Sequence, residues 1–325
     1  MKEKVNIWQK LKKPIIALAP MEGVTDTVLR QMICKTGKPD LFFTEFVNCD
    51  GLTSEGRDVV QRRLKFEKHE KPLILQLWGS NPDTFYEAAK LVSDFGFDGI
   101  DINMGCPQKD VMQHQAGAAL IDKYDTVKEI IAAVKKGAPN LPISIKIRLG
   151  IKNNNILPWV NFLLEHQIQA LTIHGRSVKE GFSGLVHWDK IGEIVKLRDS
   201  MNLNTIIIGN GSIKNLGQGF DIVKQLNLNG FMIGREILRN PWVFDDCINP
   251  NMVTLGKRLD LLQKHILLYV KTWGKTKNFA NLRKFYTMYL SGFPGASNLR
   301  QQLMQQNSIE KSMQLLKNYR KENYD

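Results

Sequence analysis

The chain has 325 residues, 43% of them hydrophobic, and a formal net charge of +13. That size suits one large α/β barrel with a smaller appendage, and no run of about eighteen apolar residues is present to cross a membrane as a helix. The four cysteines, Cys34, Cys49, Cys106 and Cys247, are far apart and form no Cys-x-x-Cys pair, which argues against a zinc site or a disulfide framework and for a reducing cytoplasm.

The opening segment, residues 1–8, has no apolar h-region, so no leader peptide is expected. Eight short apolar runs follow, at 15–19, 41–44, 73–77, 99–102, 143–147, 170–173, 205–208 and 230–233. They read as buried parallel strands, which are continuously apolar rather than alternating. Segments with helical spacing lie between them. The stretch 84–95 carries Phe85, Ala88, Ala89, Leu91 and Val92, and 126–134 carries Val127, Ile130, Ile131 and Val134. The stretches 156–165 and 188–197 are similar. Strand and helix alternating eight times predicts a (β/α)8 TIM barrel over residues 1–245.

Function in that fold sits at the C-terminal ends of the strands. Just past the eight runs stand Pro20-Met21-Glu22-Gly23, Glu45-Phe46, Gln76-Leu77-Trp78-Gly79, Asn103-Met104-Gly105-Cys106, Lys146-Ile147-Arg148, His174-Gly175-Arg176, Asn210-Gly211-Ser212 and Gly234-Arg235. Ordinary turns explain the Gly and Asn residues. They do not explain Gln76, Lys146 and His174 at the ends of apolar strands, where a polar group without a partner is unfavourable. Free cysteines are mostly small buried hydrophobes. Cys106 fits that description poorly, because it lies between Gly105 and Pro107 outside any periodic segment, with Ala116-Gly117-Ala118-Ala119-Leu120 starting a helix beyond it.

The loops after strands seven and eight are a usual phosphate site in a TIM barrel. Here the glycines of Gly209-Asn210-Gly211-Ser212 and Gly234 expose backbone N–H groups, and Arg235 adds a guanidinium, so a phosphate-bearing cofactor is expected at that end. Lys146 has two readings. It is a cation for an anionic or polar edge, or it is a Schiff-base nucleophile whose pKa Arg148, two residues on, lowers by repulsion.

Beyond Trp242-Val243-Phe244 the strand pattern stops. Helical spacing at 257–272, 281–290, 298–305 and 308–319, broken at Phe293-Pro294-Gly295, predicts a small all-helical domain over 246–325. That stretch holds thirteen Lys and Arg against five Asp and Glu, a denser positive field than the body carries. Nucleic acid is the partner this favours; a packing or oligomerisation appendage is the plainer alternative.

Together these motifs resemble the tRNA-dihydrouridine synthases. The resemblance rests on Ala19-Pro20-Met21-Glu22-Gly23-Val24-Thr25-Asp26, Thr44-Glu45-Phe46, Gln76-Leu77-Trp78-Gly79, Asn103-Met104-Gly105-Cys106-Pro107, Lys109, Gly117-Ala118, Lys146-Ile147-Arg148, His174-Gly175-Arg176, Asn210-Gly211, Gly234-Arg235 and, in the tail, Gly292-Phe293-Pro294-Gly295-Ala296 with Leu299-Arg300. It implies an FMN-dependent, NADPH-driven reduction of the uracil C5–C6 double bond in tRNA, with hydride going from flavin N5 to C6 and a proton from Cys106 to C5. FMN would lie against Pro20, Met21, Glu22, Gln76, Lys146 and His174, with its phosphate at Asn210, Gly211, Ser212, Gly234 and Arg235. Asn103, Lys109, Arg148 and Arg176 would face the substrate. One position departs from the family, which commonly has an acidic residue after Asn-Gly where this chain has Ser212; a serine hydroxyl can still donate to a phosphate or ribityl oxygen. A cytoplasmic monomer without metal is expected, since a tRNA-sized face must stay free.

Three other readings compete. A barrel acting on a free pyrimidine, like dihydroorotate dehydrogenase, needs flavin but no basic tail. A Lys146 aldolase needs no flavin and is trapped by borohydride. A non-enzymatic RNA-binding barrel predicts that Cys106→Ala leaves the biological activity unchanged.

Overall fold

A computed structural model of the chain describes residues 6–152 and 155–324. Residues 1–5, on which the leader expectation rests in part, lie outside the described residues. The chain divides into two compact units, one of Met1–Thr27 with Pro39–Gly234 and one of Val28–Lys38 with Arg235–Asp325.

All eight expected strands form in the first unit: β1 (Ile15–Leu18), β2 (Phe42–Asn48), β3 (Leu73–Trp78), β4 (Gly99–Met104), β5 (Ile143–Arg148), β6 (Ala170–His174), β7 (Ile206–Asn210) and β8 (Gly230–Ile233). They lie in one parallel sheet in the order β1-β8-β7-β6-β5-β4-β3-β2. The ring closes between β1 and the residue before β2. Ala17 bridges Leu41, the Leu18 N–H donates to the Leu41 carbonyl (3.1 Å), and the Leu41 N–H donates to that of Ile16 (3.2 Å). Several strands outrun the apolar run that marks them. The added residues include the polar Asn103, Arg148, His174 and Asn210, which keep the ladder pairing while bringing functional groups to the C-terminal mouth.

Residues paired in register share one face of a sheet, so the interior can be followed in rows. Asp101, Ser144, Ala170 and Ile206 form one row. Asn103, Lys146, Thr172 and Ile208 form the next, and Arg148, His174, Asn210 and Met232 lie nearest the mouth. Ala170, Ile206, Ile208 and Met232 belong to a core with Ile15, Ala17, Ala19, Leu41, Phe43 and Ile74, and Trp8 packs into the same cluster. The apolar cluster thus takes in β1, β7 and β8 with early residues of β2, β3 and β6, while the rows are polar on β4 and β5 and the polar residues of β3, β6 and β7 stand nearer the mouth.

The outer helices follow their apolar spacing. Pro82–Val92 starts at Asn81, whose side chain accepts from the Asp83 N–H, with proline in its first turn, and it buries Phe85, Ala88, Ala89 and Val92. Tyr124–Gly137 buries Val127, Ile130, Ile131 and Val134. The stretch from Ala116, expected to open a helix, is instead a 3-10 turn (Gly117–Leu120) between the short helix Lys109–Gln113 and Tyr124–Gly137.

The second unit is helical, with Leu255–Trp273, Ala296–Gln305 and Ile309–Tyr324 as its long elements. It begins at Arg235 and also takes in Val28–Lys38. Two contacts tie that early segment to its own unit: the Thr36 hydroxyl donates to the Pro241 carbonyl (2.6 Å), and Gly37 is packed on Asp245. Residues 281–290, expected as one helix, form a 3-10 stretch, Phe279–Phe285, followed by a single turn, Tyr286–Tyr289. No helix among the described residues is long and apolar enough to cross a membrane.

Candidate active site

The mouth is shaped first by an irregularity. Phe43 pairs with Ile74 but Phe46 pairs with Gln76, so β2 carries one extra residue there. A bulge of this kind re-aims side chains. Here the Thr44 hydroxyl accepts from the Gln76 N–H (3.1 Å), and Glu45 turns to accept from the Gly23 N–H (2.7 Å). Glu45 thereby fixes the β1 loop. In the same loop the Met21 N–H donates to the Thr25 hydroxyl (2.9 Å), and Glu22 accepts from Arg63, at 3.1 Å from its Nε.

Behind the mouth lies a buried polar cluster. The Gln76 amide donates to Asp101 (2.6 Å) and accepts from Asn103 Nδ2 (2.9 Å). The Ser144 hydroxyl donates to the other Asp101 oxygen (2.6 Å). Burial drives the Asp101 carboxyl up to about 6, although the hydrogen bonds from Ser144 and Gln76 and the charge of Lys146 pull it back.

Cys106 sits on the loop that leaves β4. Its N–H and that of Gly105 donate to Asn103 Oδ1 (3.0 and 3.1 Å), and its carbonyl accepts from the Ala118 N–H (3.0 Å). The half-buried side chain packs with Trp78 against Phe46, Val111 and Ala116. That burial raises the thiol pKa, more than the nearby Arg148 and Lys146 charges lower it, so Cys106 keeps its proton at neutral pH. Gly117 lets the loop fold back on itself. Its φ is +61°, and a Cβ there would stand 2.8 Å from both the Cys106 carbonyl oxygen and a Val111 methyl.

Burial, and next the Arg148 charge, bring Lys146 down to about 8. Among the described residues its ammonium makes no hydrogen bond or ion pair. The Thr172 hydroxyl, its register partner, is fully buried and likewise has none. Arg148 is tied to main chain. It donates to the carbonyls of Gly105 (2.9 Å), Gly181 (2.9 Å) and Ser177 (3.3 Å), and it lies 5.2 Å from the Phe182 ring centroid. It thus joins the Cys106 loop to the loop 177–187, which Glu180 braces by accepting from Ser177 (2.8 Å) and pairing with His187 (2.5 Å).

On the β6–β8 side His174 is largely buried at the mouth. The Asn210 amide donates to the Met232 carbonyl (2.8 Å). Arg176 donates to the Gly184 carbonyl (2.5 Å) and to the Ser212 hydroxyl (2.7 Å). Gly211 adopts φ +139° against Val186, and Gly234 stands opposite Ala19 and the Met21 sulfur. Pro20, Met21, Glu22, Gln76, Asn103, Cys106, Lys146, Arg148, His174, Arg176, Asn210, Gly211, Ser212 and Gly234 thus all belong to the C-terminal face of the first unit. Lys109 is exposed at the start of the short helix after Cys106. Arg235 belongs to the second unit. Arg148 and Arg176, expected to face substrate, donate to loop carbonyls, and the Ser212 hydroxyl receives a hydrogen bond from Arg176. Sequence reasoning placed Glu45 at a strand end without giving it a role, and missed Arg63, Asp101, Ser144 and Thr172 as members of the site. For Asp101 a signal existed, a lone carboxylate between Ile100 and Ile102 in an apolar run.

A family model described as Dihydrouridine synthase (Dus) matches residues 17–324. A probable tRNA-dihydrouridine synthase of Staphylococcus aureus (strain MRSA252) is 39% identical over 316 residues, covering 96% of this chain and 95% of its own. A probable tRNA-dihydrouridine synthase 2 of Bacillus subtilis (strain 168) is 36% identical over 323 residues, 98% of each chain. Among solved structures, morphinone reductase matches with a TM-score of 0.52 at 10% identity, covering 73% of this chain and 86% of its own. A DHODH from Eimeria tenella in complex with ferulenol matches with a TM-score of 0.51 at 16% identity, covering 70% and 78%. At such identities the two structures speak to the barrel fold.

Proposed function

The chain belongs to the dihydrouridine synthase family, and from that premise we propose that it reduces the C5–C6 double bond of uridines in tRNA, with FMN as its flavin and NADPH as reductant. The residues at the mouth suit such a cofactor. The Lys146 ammonium and the Thr172 hydroxyl are polar groups without hydrogen-bond partners among the described residues, and Asn210-Gly211-Ser212 with Gly234 offers backbone to a phosphate, with Arg235 next along the chain. A bound flavin supplies hydride to one face of the base.

Cys106 does the rest of the chemistry in this proposal. It gives its thiol proton to C5, and a general acid must hold its proton until that moment. The observation that carries the reading is that this thiol is kept neutral by apolar packing on a braced loop at the barrel mouth. Lys146, a cation at neutral pH, binds an acceptor edge, and Gln76 and Asn103, engaged with each other and with Asp101 inside the buried cluster, support the Cys106 loop. The target uridine leaves the tRNA stack, at a price of a few kcal/mol. The Lys- and Arg-rich second unit is assigned to tRNA phosphates, and the enzyme is taken to act as a cytoplasmic monomer without metal.

The test is the visible spectrum of the purified protein. NADPH should bleach a flavin band anaerobically, and tRNA lacking dihydrouridine should restore it. Cys106→Ala should bleach normally and fail to recover. Recovery with a free pyrimidine but not with tRNA would favour the dehydrogenase reading. The lowered Lys146 pKa favours one other alternative, Schiff-base chemistry; protein without flavin that borohydride traps on a carbonyl substrate would support it.

A further inference from the structure

Five hydrogen bonds behind the mouth form one directed chain. The Gly105 and Cys106 N–H groups donate to Asn103 Oδ1 (3.1 and 3.0 Å). Asn103 Nδ2 donates to Gln76 Oε1 (2.9 Å), and Gln76 Nε2 donates to Asp101 Oδ2 (2.6 Å). Ser144 donates to Asp101 Oδ1 (2.6 Å). Their side chains are secluded from water: Gln76, Asp101 and Ser144 are 0% exposed and Asn103 is 5%.

The direction follows from chemistry alone. A main-chain N–H can only donate, so Asn103 must turn its oxygen to Gly105 and Cys106. Its nitrogen then faces Gln76, which must present oxygen. The Gln76 nitrogen in turn needs an acceptor, and a carboxylate accepts with both oxygens. Turning either amide over sets donor against donor, or acceptor against acceptor, where no water can intervene.

Resting on the function proposed above, we propose that Asp101 is a positioning residue for proton transfer: as the fixed acceptor end of this chain it sets the facing of Gln76 and Asn103, and so holds Cys106 in place for C5. It acts through two other side chains and a main-chain N–H.

The test compares Asp101→Leu with Asp101→Asn in the flavin-loaded full chain. Leucine keeps the same branched skeleton of four side-chain heavy atoms without an acceptor. Asparagine keeps an oxygen for Gln76 while its nitrogen faces the Ser144 hydroxyl, which can accept. Stopped flow separates bleaching by NADPH, which does not use Cys106, from colour return with tRNA. Asp101→Leu should slow the return by about 100-fold and change bleaching by less than about threefold, while Asp101→Asn should stay within about tenfold of wild type in both. A second readout needs no turnover: Asp101→Leu should speed alkylation of Cys106 by iodoacetamide, followed by peptide mapping, by about fivefold as the loop leaves its apolar packing. A wild-type rate of return in Asp101→Leu, or Asp101→Asn as slow as Asp101→Leu, overturns the proposal.

If Asp101→Leu does not fold, a rescue pair decides. In Asn103→Asp, Gln76 must give its nitrogen to residue 103 and its oxygen to the Asp101 carboxylate, acceptor against acceptor. Adding Asp101→Asn supplies a donor there, so the double variant should melt higher and alkylate Cys106 more slowly than Asn103→Asp alone. Equality of the two sinks the idea. If tRNA fails to reoxidise wild-type protein, the functional reading falls instead, and the alkylation and melting comparisons still judge the placement of Cys106 by Asp101.

Discussion

Lys146 shows how one buried cation links stability to pH. Its folded pKa of about 8 lies below the roughly 10.4 of a free lysine. Between those values the unfolded chain binds a proton that the folded chain has released, so stability rises as pH goes from about 8 towards about 10, and the penalty is present in full below about 8. Lys146→Met should therefore stabilise the protein by on the order of 1–3 kcal/mol at pH 7, and by much less near pH 10; urea unfolding at the two pH values checks this, and an equal gain at both would exclude the assignment. Arg148 is judged by shape rather than charge. Arg148→Lys keeps the cation but cannot reach three carbonyls at once, so the tRNA-dependent step should slow by about tenfold or more while NADPH bleaching is preserved. Lys146 and Gln76 could be picked from the sequence because a polar residue at the end of an apolar strand calls for a partner. Asp101 stood in the same kind of run, but the partners that explain it, Gln76 and Ser144, come from two other strands and become visible only once the register is known.

Among the elements, the Cys106 loop makes the sharpest demand. A side chain at Gly117 would need φ +61° and would press on the Cys106 carbonyl and Val111 at 2.8 Å. Gly117→Ala should cost about 1–3 kcal/mol of stability and displace Cys106 as well. Thermal melting, together with alkylation of Cys106 faster than in wild type, is the check; an unchanged melting point and unchanged alkylation would mean the loop tolerates the methyl group. All eight strands were legible because burial on both faces makes each a continuous apolar run. The bulge at Thr44-Glu45 was not, since it exists only relative to β3. Nor was the Gly117–Leu120 turn, whose residues suit a helix well until the Cys106 carbonyl claims the Ala118 N–H.

For the molecule as a whole, the net +13 makes its affinity for tRNA a matter of ionic strength. Lys257, Lys264 and Lys271 recur every seven residues along Leu255–Trp273 and are all exposed, so they share one face of that helix. Replacing all three with Gln should flatten the slope of log K for tRNA against log salt by about two to three and leave bleaching by NADPH unchanged. A slope equal to wild type would remove this face from the tRNA interface.

The seam of the barrel has a consequence for how the chain is made. β1 pairs along its length with β8 and meets the β2 side through the bridge at Leu41 and a hydrogen bond from the Ile16 N–H to the Asp40 carboxylate (2.8 Å). Ile15 therefore leaves the ribosome roughly 200 residues before Gly230, its ladder partner, which at the usual pace of synthesis is a delay of about 10–40 s. Trp8 waits as long for Met232, which shares its core cluster. For that interval the nascent chain carries an unpaired apolar strand edge at β1, open to other chains or to a chaperone, and the barrel closes only when nearly all of its first unit has been translated.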